Sequence, residues 1–223
     1  MIPLRDVIPS RTTPYITITI ITLNALAWLF ELSLPHDTLN EFLTVYGVVP
    51  AYFAAPTLIT SMFLHGSWSH VLGNMWYLWI FGDNVEDRVG HGRFIVFYLL
   101  CGVAAALGQV AVDPASTLPT IGASGAIAGV MGAYFVLYPQ SRVLTLIPLI
   151  IFWEIIELPA IMLLGFWFLM QLFSAGAIAV TASTGGAGSG GVAFMAHVAG
   201  FVFGMAAVFV FRRRPEPRRW SGI

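Results

Sequence analysis

Lysine is absent from this sequence, cysteine nearly so, and charge of either sign is scarce. All ten basic residues are arginine, Cys101 is the single cysteine, and charged residues make up 9% of the 223 positions against 58% hydrophobic. Each shortage excludes something. A soluble domain needs far more surface charge than this. One cysteine cannot form an intramolecular disulfide. A formal net charge of −1 offers no basic excess for nucleic acid. No separate soluble domain, internal repeat, cofactor motif or metal-ligand set stands out, so no cofactor and no metal are expected.

What is present is a series of long apolar runs, at 15–32, 94–112, 121–138, 158–180 and 192–211. Each approaches the roughly 20 residues that cross a bilayer as a helix, and lipid leaves a lone segment no other way to satisfy its backbone. A sixth run, "HVLGNMWYLWIFG" from His70 to Gly82, is too short alone. Extended into its polar flanks, over 69–89, it is long enough to cross, provided water or protein surrounds its polar end. The stretch 143–157 reads as a hairpin or re-entrant piece, because Glu154, Glu157 and Pro159 oppose one continuous helix.

The arginines set the orientation. Arg5 and Arg11 precede the first span, Arg88 and Arg93 separate the second from the third, and Arg142 follows the fourth. Arg212, Arg213, Arg214, Arg218 and Arg219 follow the sixth, while 33–68, 113–120 and 181–191 hold none. This is a positive-inside pattern, and it predicts six spans with both termini cytoplasmic. Arg5, Asp6 and Arg11 stand before a full-length span with no small-residue cleavage site, so no cleavable signal peptide is read. The tail "RRRPEPRRW" suits anionic lipid head groups.

Against this background a few polar residues stand out. "HGSWSHVLGN" contains His65, His70 and Asn74, "IGASGAIAGVMGAY" contains Ser124, and "MAHVAGFVFG" contains His197. His70 and Asn74 are four apart and share a helix face. Any one of them has an ordinary structural explanation: a histidine bonded to a carbonyl, or glycines such as Gly125 and Gly129 that let helices approach. Topology argues otherwise. The second, fourth and sixth spans all start at the outer face, which places His70, Asn74, Ser124 and His197 about 5–10 Å below it at 1.5 Å per residue.

The chemistry follows from those residue types. A serine hydroxyl becomes a nucleophile when a neighbouring imidazole takes its proton. His197 is the natural base, since Ala196, Gly200 and Gly204 allow its helix close to the serine helix. Attack on a peptide carbonyl generates an oxyanion, for which the Asn74 amide, a His70 N–H and the Ser124 backbone N–H are the available donors. No aspartate falls at this level, so the expectation is a Ser–His dyad.

These motifs resemble those of the rhomboid family of intramembrane serine proteases: "HGSWSHVLGN" followed by "GDNVED", then "GASGAIAG", then "AHVAG", in the family's order. The resemblance covers about 15–211 and implies an all-α membrane protein, a six-helix rhomboid-like bundle. It implies Ser124 as nucleophile, His197 as base, His70 and Asn74 as oxyanion contributors and His65 as a supporting histidine. Gly122 and Gly125 then allow close backbone approach around the serine. The organisation expected is a cytoplasmic N-terminal segment over 1–14, the protease domain over 15–211 and a basic cytoplasmic tail over 212–223. Substrates would be transmembrane proteins cut in or near the bilayer. Arginine-only basicity points to a prokaryotic cytoplasmic membrane, with the site opening to the extracytoplasmic side.

Two departures accompany the resemblance. Some members carry a tyrosine that stacks on the catalytic histidine four residues after the serine, where this sequence has Ala128. Some bacterial members have a Trp-Arg pair in the first outer loop, whereas 33–68 holds only Trp68 and no arginine. Two other readings are an inactive relative that binds client helices and a small-solute transporter. Intact Ser124, His197 and Asn74 oppose the first. The second calls for polar residues near the midplane and repeated halves. The glycine-rich stretch "TASTGGAGSGG" at 181–191 has the composition of a lid.

Overall fold

The computed structural model describes residues 1–148, 153–183 and 193–213. The chain opens with strand β1 (Ile2–Asp6) and helix α1 (Tyr15–Ser33), followed by two short helices, α2 (His36–Tyr46) and α3 (Thr57–Thr60). Helices α4 (Trp68–Val89), α5 (His91–Val112) and α6 (Ser124–Leu137) come next. Strands β2 (Arg142–Pro148) and β3 (Trp153–Pro159) then lead into α7 (Ala160–Ser183) and α8 (Phe194–Phe211). Among the described residues α1, α5, α7 and α8 are long and apolar enough to cross a membrane. Helix α4 has the length but is polar at its C-terminal end, and α6 is apolar but only 14 residues long.

Polar side chains inside the apolar helices mostly turn back on their own backbone, as a low-dielectric medium demands. In α1, Thr19 donates to the Tyr15 carbonyl at 2.7 Å, Thr22 to Ile18 at 2.9 Å, and the Asn24 amide to Ile20 at 2.8 Å. Helix α4 starts on Ser67, whose hydroxyl accepts from the His70 N–H at 3.2 Å, a normal N-cap. It ends at Gly90, whose φ of 92° closes the helix in a conformation that suits glycine. The Arg213 N–H then bonds the Arg88 carbonyl at 3.0 Å, fastening the end of α8 to the end of α4.

The "GDNVED" motif acts as a clamp on the start of α1. Glu86 is fully buried, and its carboxylate accepts from the Ile16 N–H at 3.0 Å, the Thr17 N–H at 2.8 Å and the Thr17 hydroxyl at 2.7 Å. The His91 Nδ1 lies 2.5 Å from the same carboxylate. A helix N-terminus exposes unpaired N–H groups with positive potential, and here an acid from another helix satisfies them. Asp87 holds the segment that precedes α1, accepting from the Arg11 and Thr12 N–H groups at 2.6 and 3.1 Å.

Helix α6 is the centre of the molecule, with every residue from Gly125 to Tyr134 buried. Its contact with α8 is a seam of small residues. A Cβ at Gly204 would strike the Gly129 carbonyl, one at Gly200 the Gly125 carbonyl, and one at Gly132 the Phe201 carbonyl. Close backbone approach of this kind drives helix association in lipid, where the hydrophobic effect does not.

The hairpin expected over 143–157 is a β-hairpin, with Arg142 opposite Pro159 and Pro148 opposite Trp153. It gains a third strand that the sequence did not announce, so the protein is mostly helical and not all-α as expected. β1 pairs antiparallel with β2, so the sheet order is β1-β2-β3. The N-terminal segment is therefore part of the fold, and the Trp76 indole of α4 donates to the Pro3 carbonyl at 2.6 Å.

Candidate active site

Three segments converge on Ser124. The first is the turn that ends in the residue itself. Gly122 has a φ of 118°, and a Cβ there would run into the His70 ring, so glycine is required on both counts. Its N–H bonds the Ser61 carbonyl at 2.8 Å, and Thr120 and Val48 exchange backbone bonds at 2.8 and 3.0 Å. The turn is thus tied to the segment before α4. It also means that α6 begins at Ser124, three residues later than the apolar run at 121–138 suggests. The Ser124 N–H then belongs to the first turn of a helix, where N–H groups have no intrahelical partner.

The second segment is α8. His197 Nε2 lies 2.8 Å from the Ser124 Oγ, and the glycine seam holds the two helices at that spacing. Around the serine, a Cβ at Gly125 would collide with Ala105 of α5.

The third is α4 with the residues before it. Asn74 and His70 line the same cavity, of about 590 Å³, as Ser124 and His197. The Asn74 amide nitrogen is 3.1 Å from His65 Nε2, so the amide donates one hydrogen there and keeps the other. The Gly66 N–H approaches His70 Nδ1 at 3.5 Å, which leaves the His70 Nε2 to carry the ring proton. His65 is buried, with its backbone N–H held by the Glu31 carboxylate at 3.2 and 3.3 Å. All seven residues singled out in the sequence, Ser124, His197, His70, Asn74, His65, Gly122 and Gly125, fall in or against this one site.

Two neighbours of His197 were missed in the sequence. Gln171 Oε1 lies 2.8 Å from His197 Nδ1, and the Trp167 ring lies beside the imidazole with centroids 5.8 Å apart. Both come from α7. The signal was a lone amide within an apolar span, the kind of group that is costly in a membrane. The glycine-rich stretch read as a lid lies outside the described residues from 184 to 191, as do the side chains of 181–183. The tail beyond Arg213 lies outside them too.

The architecture agrees with comparisons to known proteins. A rhomboid domain profile matches residues 53–214. The chain is 27% identical over 205 residues to rhomboid-like protein 11, chloroplastic, of Arabidopsis thaliana, covering 86% of this chain and 67% of that protein. It is 32% identical over 127 residues to the putative rhomboid protease YdcA of Bacillus subtilis, covering 56% and 62%. To the rhomboid protease GluP of the same bacterium it is 35% identical over 85 residues, covering 38% and 16%. The matched regions thus span from about one-sixth to two-thirds of these relatives. Other relatives are mitochondrial, so the relatives do not assign a compartment. The chain is a multi-pass integral membrane protein and belongs to the rhomboid family.

Proposed function

We propose that this chain is an intramembrane serine endopeptidase that hydrolyses transmembrane substrates in or near the bilayer. The observation that carries the reading is the 2.8 Å contact between the Ser124 hydroxyl and His197 Nε2, on a cavity that Asn74 and His70 also line. His197 accepts the hydroxyl proton as Ser124 Oγ attacks the substrate carbonyl carbon. The spare Asn74 N–H, the His70 Nε2–H and the Ser124 backbone N–H stabilise the resulting oxyanion, the last aided by the positive end of α6. His197 then gives its proton to the departing amine, leaving an acyl-enzyme. Water enters, loses a proton to His197 and attacks the ester carbon. The C–Oγ bond then breaks, His197 returns the proton to Ser124 Oγ, and the acyl fragment leaves as a carboxylic acid.

Placement supports the same reading. A 14-residue helix is about 21 Å long, short of the roughly 30 Å hydrocarbon layer. A serine at its start therefore sits below the membrane surface, within reach of water from one side. The arginine distribution supports that side being outside and both termini being cytoplasmic, with six spans between them. Transmembrane proteins are the partners, within a lipid bilayer.

The deciding experiment labels the purified protein with a fluorophosphonate serine probe and follows cleavage of a transmembrane substrate in liposomes. Labelling and cleavage that both vanish in Ser124→Ala are expected. Cleavage that survives in Ser124→Ala overturns the assignment.

A further inference from the structure

We propose that Gln171 is the positioning residue for His197, completing a Gln171–His197–Ser124 line that fixes the imidazole in its reactive tautomer. The inference rests on the protease reading and adds a residue to it. Two contacts set the orientation of the Gln171 amide. Its nitrogen lies 3.4 Å from the carbonyl of Trp167, one turn back on α7, and its oxygen lies 2.8 Å from His197 Nδ1. A carbonyl only accepts, so the amide nitrogen must face Trp167. An amide oxygen also only accepts, so His197 Nδ1 must carry the hydrogen. In a neutral imidazole this leaves the lone pair on Nε2, the atom 2.8 Å from the Ser124 hydroxyl. The opposite tautomer would set two lone pairs against each other at Gln171 and point an N–H at the serine.

The ring has a second support from the same helix face. Trp167, four residues before Gln171, inclines at 38° to the imidazole, so one face of α7 supplies both a wall and an acceptor. Ala128 is completely buried on α6 and has no ring to offer. An amide also suits this depth better than a carboxylate, because it orients the base without placing a formal charge in a membrane.

The test uses the full chain in liposomes with Gln171→Leu, which keeps the bulk and removes the acceptor, and Gln171→Glu, which keeps an acceptor at the same reach. Gln171→Leu should lower kcat and the rate of Ser124 labelling by a small fluorophosphonate about tenfold, the scale of one aligned hydrogen bond. KM and the melting midpoint should hold. Histidine 15N NMR should show Nδ1-protonated His197 in the native chain and a mixture of tautomers in Gln171→Leu. Gln171→Glu should restore kcat and labelling to within about threefold. Native kcat and tautomer in Gln171→Leu would overturn the inference. So would a loss that appears in KM and stability and is not rescued by Gln171→Glu, because that is the behaviour of a packing residue. If Ser124→Ala still cleaves, the protease reading itself has failed. If Ser124→Ala is inert and Gln171→Leu is normal, only the role of Gln171 has failed.

Discussion

The two ends of α6 carry similar polar groups arranged to opposite effect. At the N-terminal end, Ser124 meets His197 beside a cavity, and donors on Asn74 and His70 face that cavity. At the C-terminal end, Tyr134 is fully buried and donates to the Asp6 carboxylate at 2.6 Å, with Ser141 Oγ 2.9 Å away. The Asn84 amide bonds the same carboxylate at 3.0 Å, and β1, paired to β2, closes over the cluster. One end keeps hydrogen-bonding capacity in reserve, whereas the other has committed it. Buried polar groups normally pair off completely. On the protease reading, a spare donor beside Ser124 therefore marks the reactive end more clearly than polarity does.

The comparison predicts that substitutions at the first end cost activity and those at the second cost stability. The largest effect belongs to Ser124→Ala and His197→Ala. Each should lower cleavage by roughly 10⁴-fold or more while the melting midpoint in detergent stays near that of the native chain. A large fall in midpoint would mean the serine end is also a structural joint. Asn74→Ala comes next, with turnover reduced about 10²-fold and substrate binding little changed, because the amide acts on charge that develops in the transition state. Weakened binding at unchanged turnover would move Asn74 from oxyanion donor to binding residue.

Much of the reactive end was legible in the sequence because lipid makes polar residues conspicuous. Ser124, His70, Asn74 and His197 each interrupt an apolar run, and the arginines set the level at which they meet. Gln171 interrupts a run in the same way, but an aspartate is the group usually paired with a catalytic histidine, and nothing in the sequence ties this amide to His197. The amide oxygen meets the geometric need without the charge. The start of α6 was read three residues early, since periodicity cannot show that Gly122 adopts a φ of 118°. The other end was far less legible. β1 exists because β2 pairs with it across most of the chain, and strand formation depends on such partners more than on local preference. Glu86 likewise caps α1 from 70 residues away, a contact that no window of sequence contains.

Tyr134→Phe tests the committed end directly. Removing one hydroxyl from a buried pair leaves the Asp6 carboxyl short of a donor, at a cost of about 1–2 kcal/mol. Folded stability should fall by that amount, and kcat of the folded protein should not change. A fall in kcat at unchanged stability would show that the two ends are coupled through α6.

The smallest effect lies with Asp6, where pH does the work. Burial pushes its carboxyl up to about 6 from an ordinary 3.8; the Tyr134 hydrogen bond pulls it back down, and the nearby Asp83 charge raises it further. In the folded protein the proton is held until about pH 6, whereas the unfolded chain releases it from about 3.8. Between those values the folded state binds more protons, so stability falls as pH rises and levels off above the window. Asp6→Asn keeps an oxygen to accept from Tyr134 and Asn84 and has no proton to lose. Its midpoint should match the native chain near the acid side of the window and exceed it modestly at neutral pH. The native-minus-variant difference isolates Asp6 from every other titrating group. If that difference instead favours the native chain as pH rises, the carboxylate is stabilised as an ion by its donors. The C-terminal end of α6 would then be a charge site, and the contrast between a reserved end and a committed one would have to be redrawn.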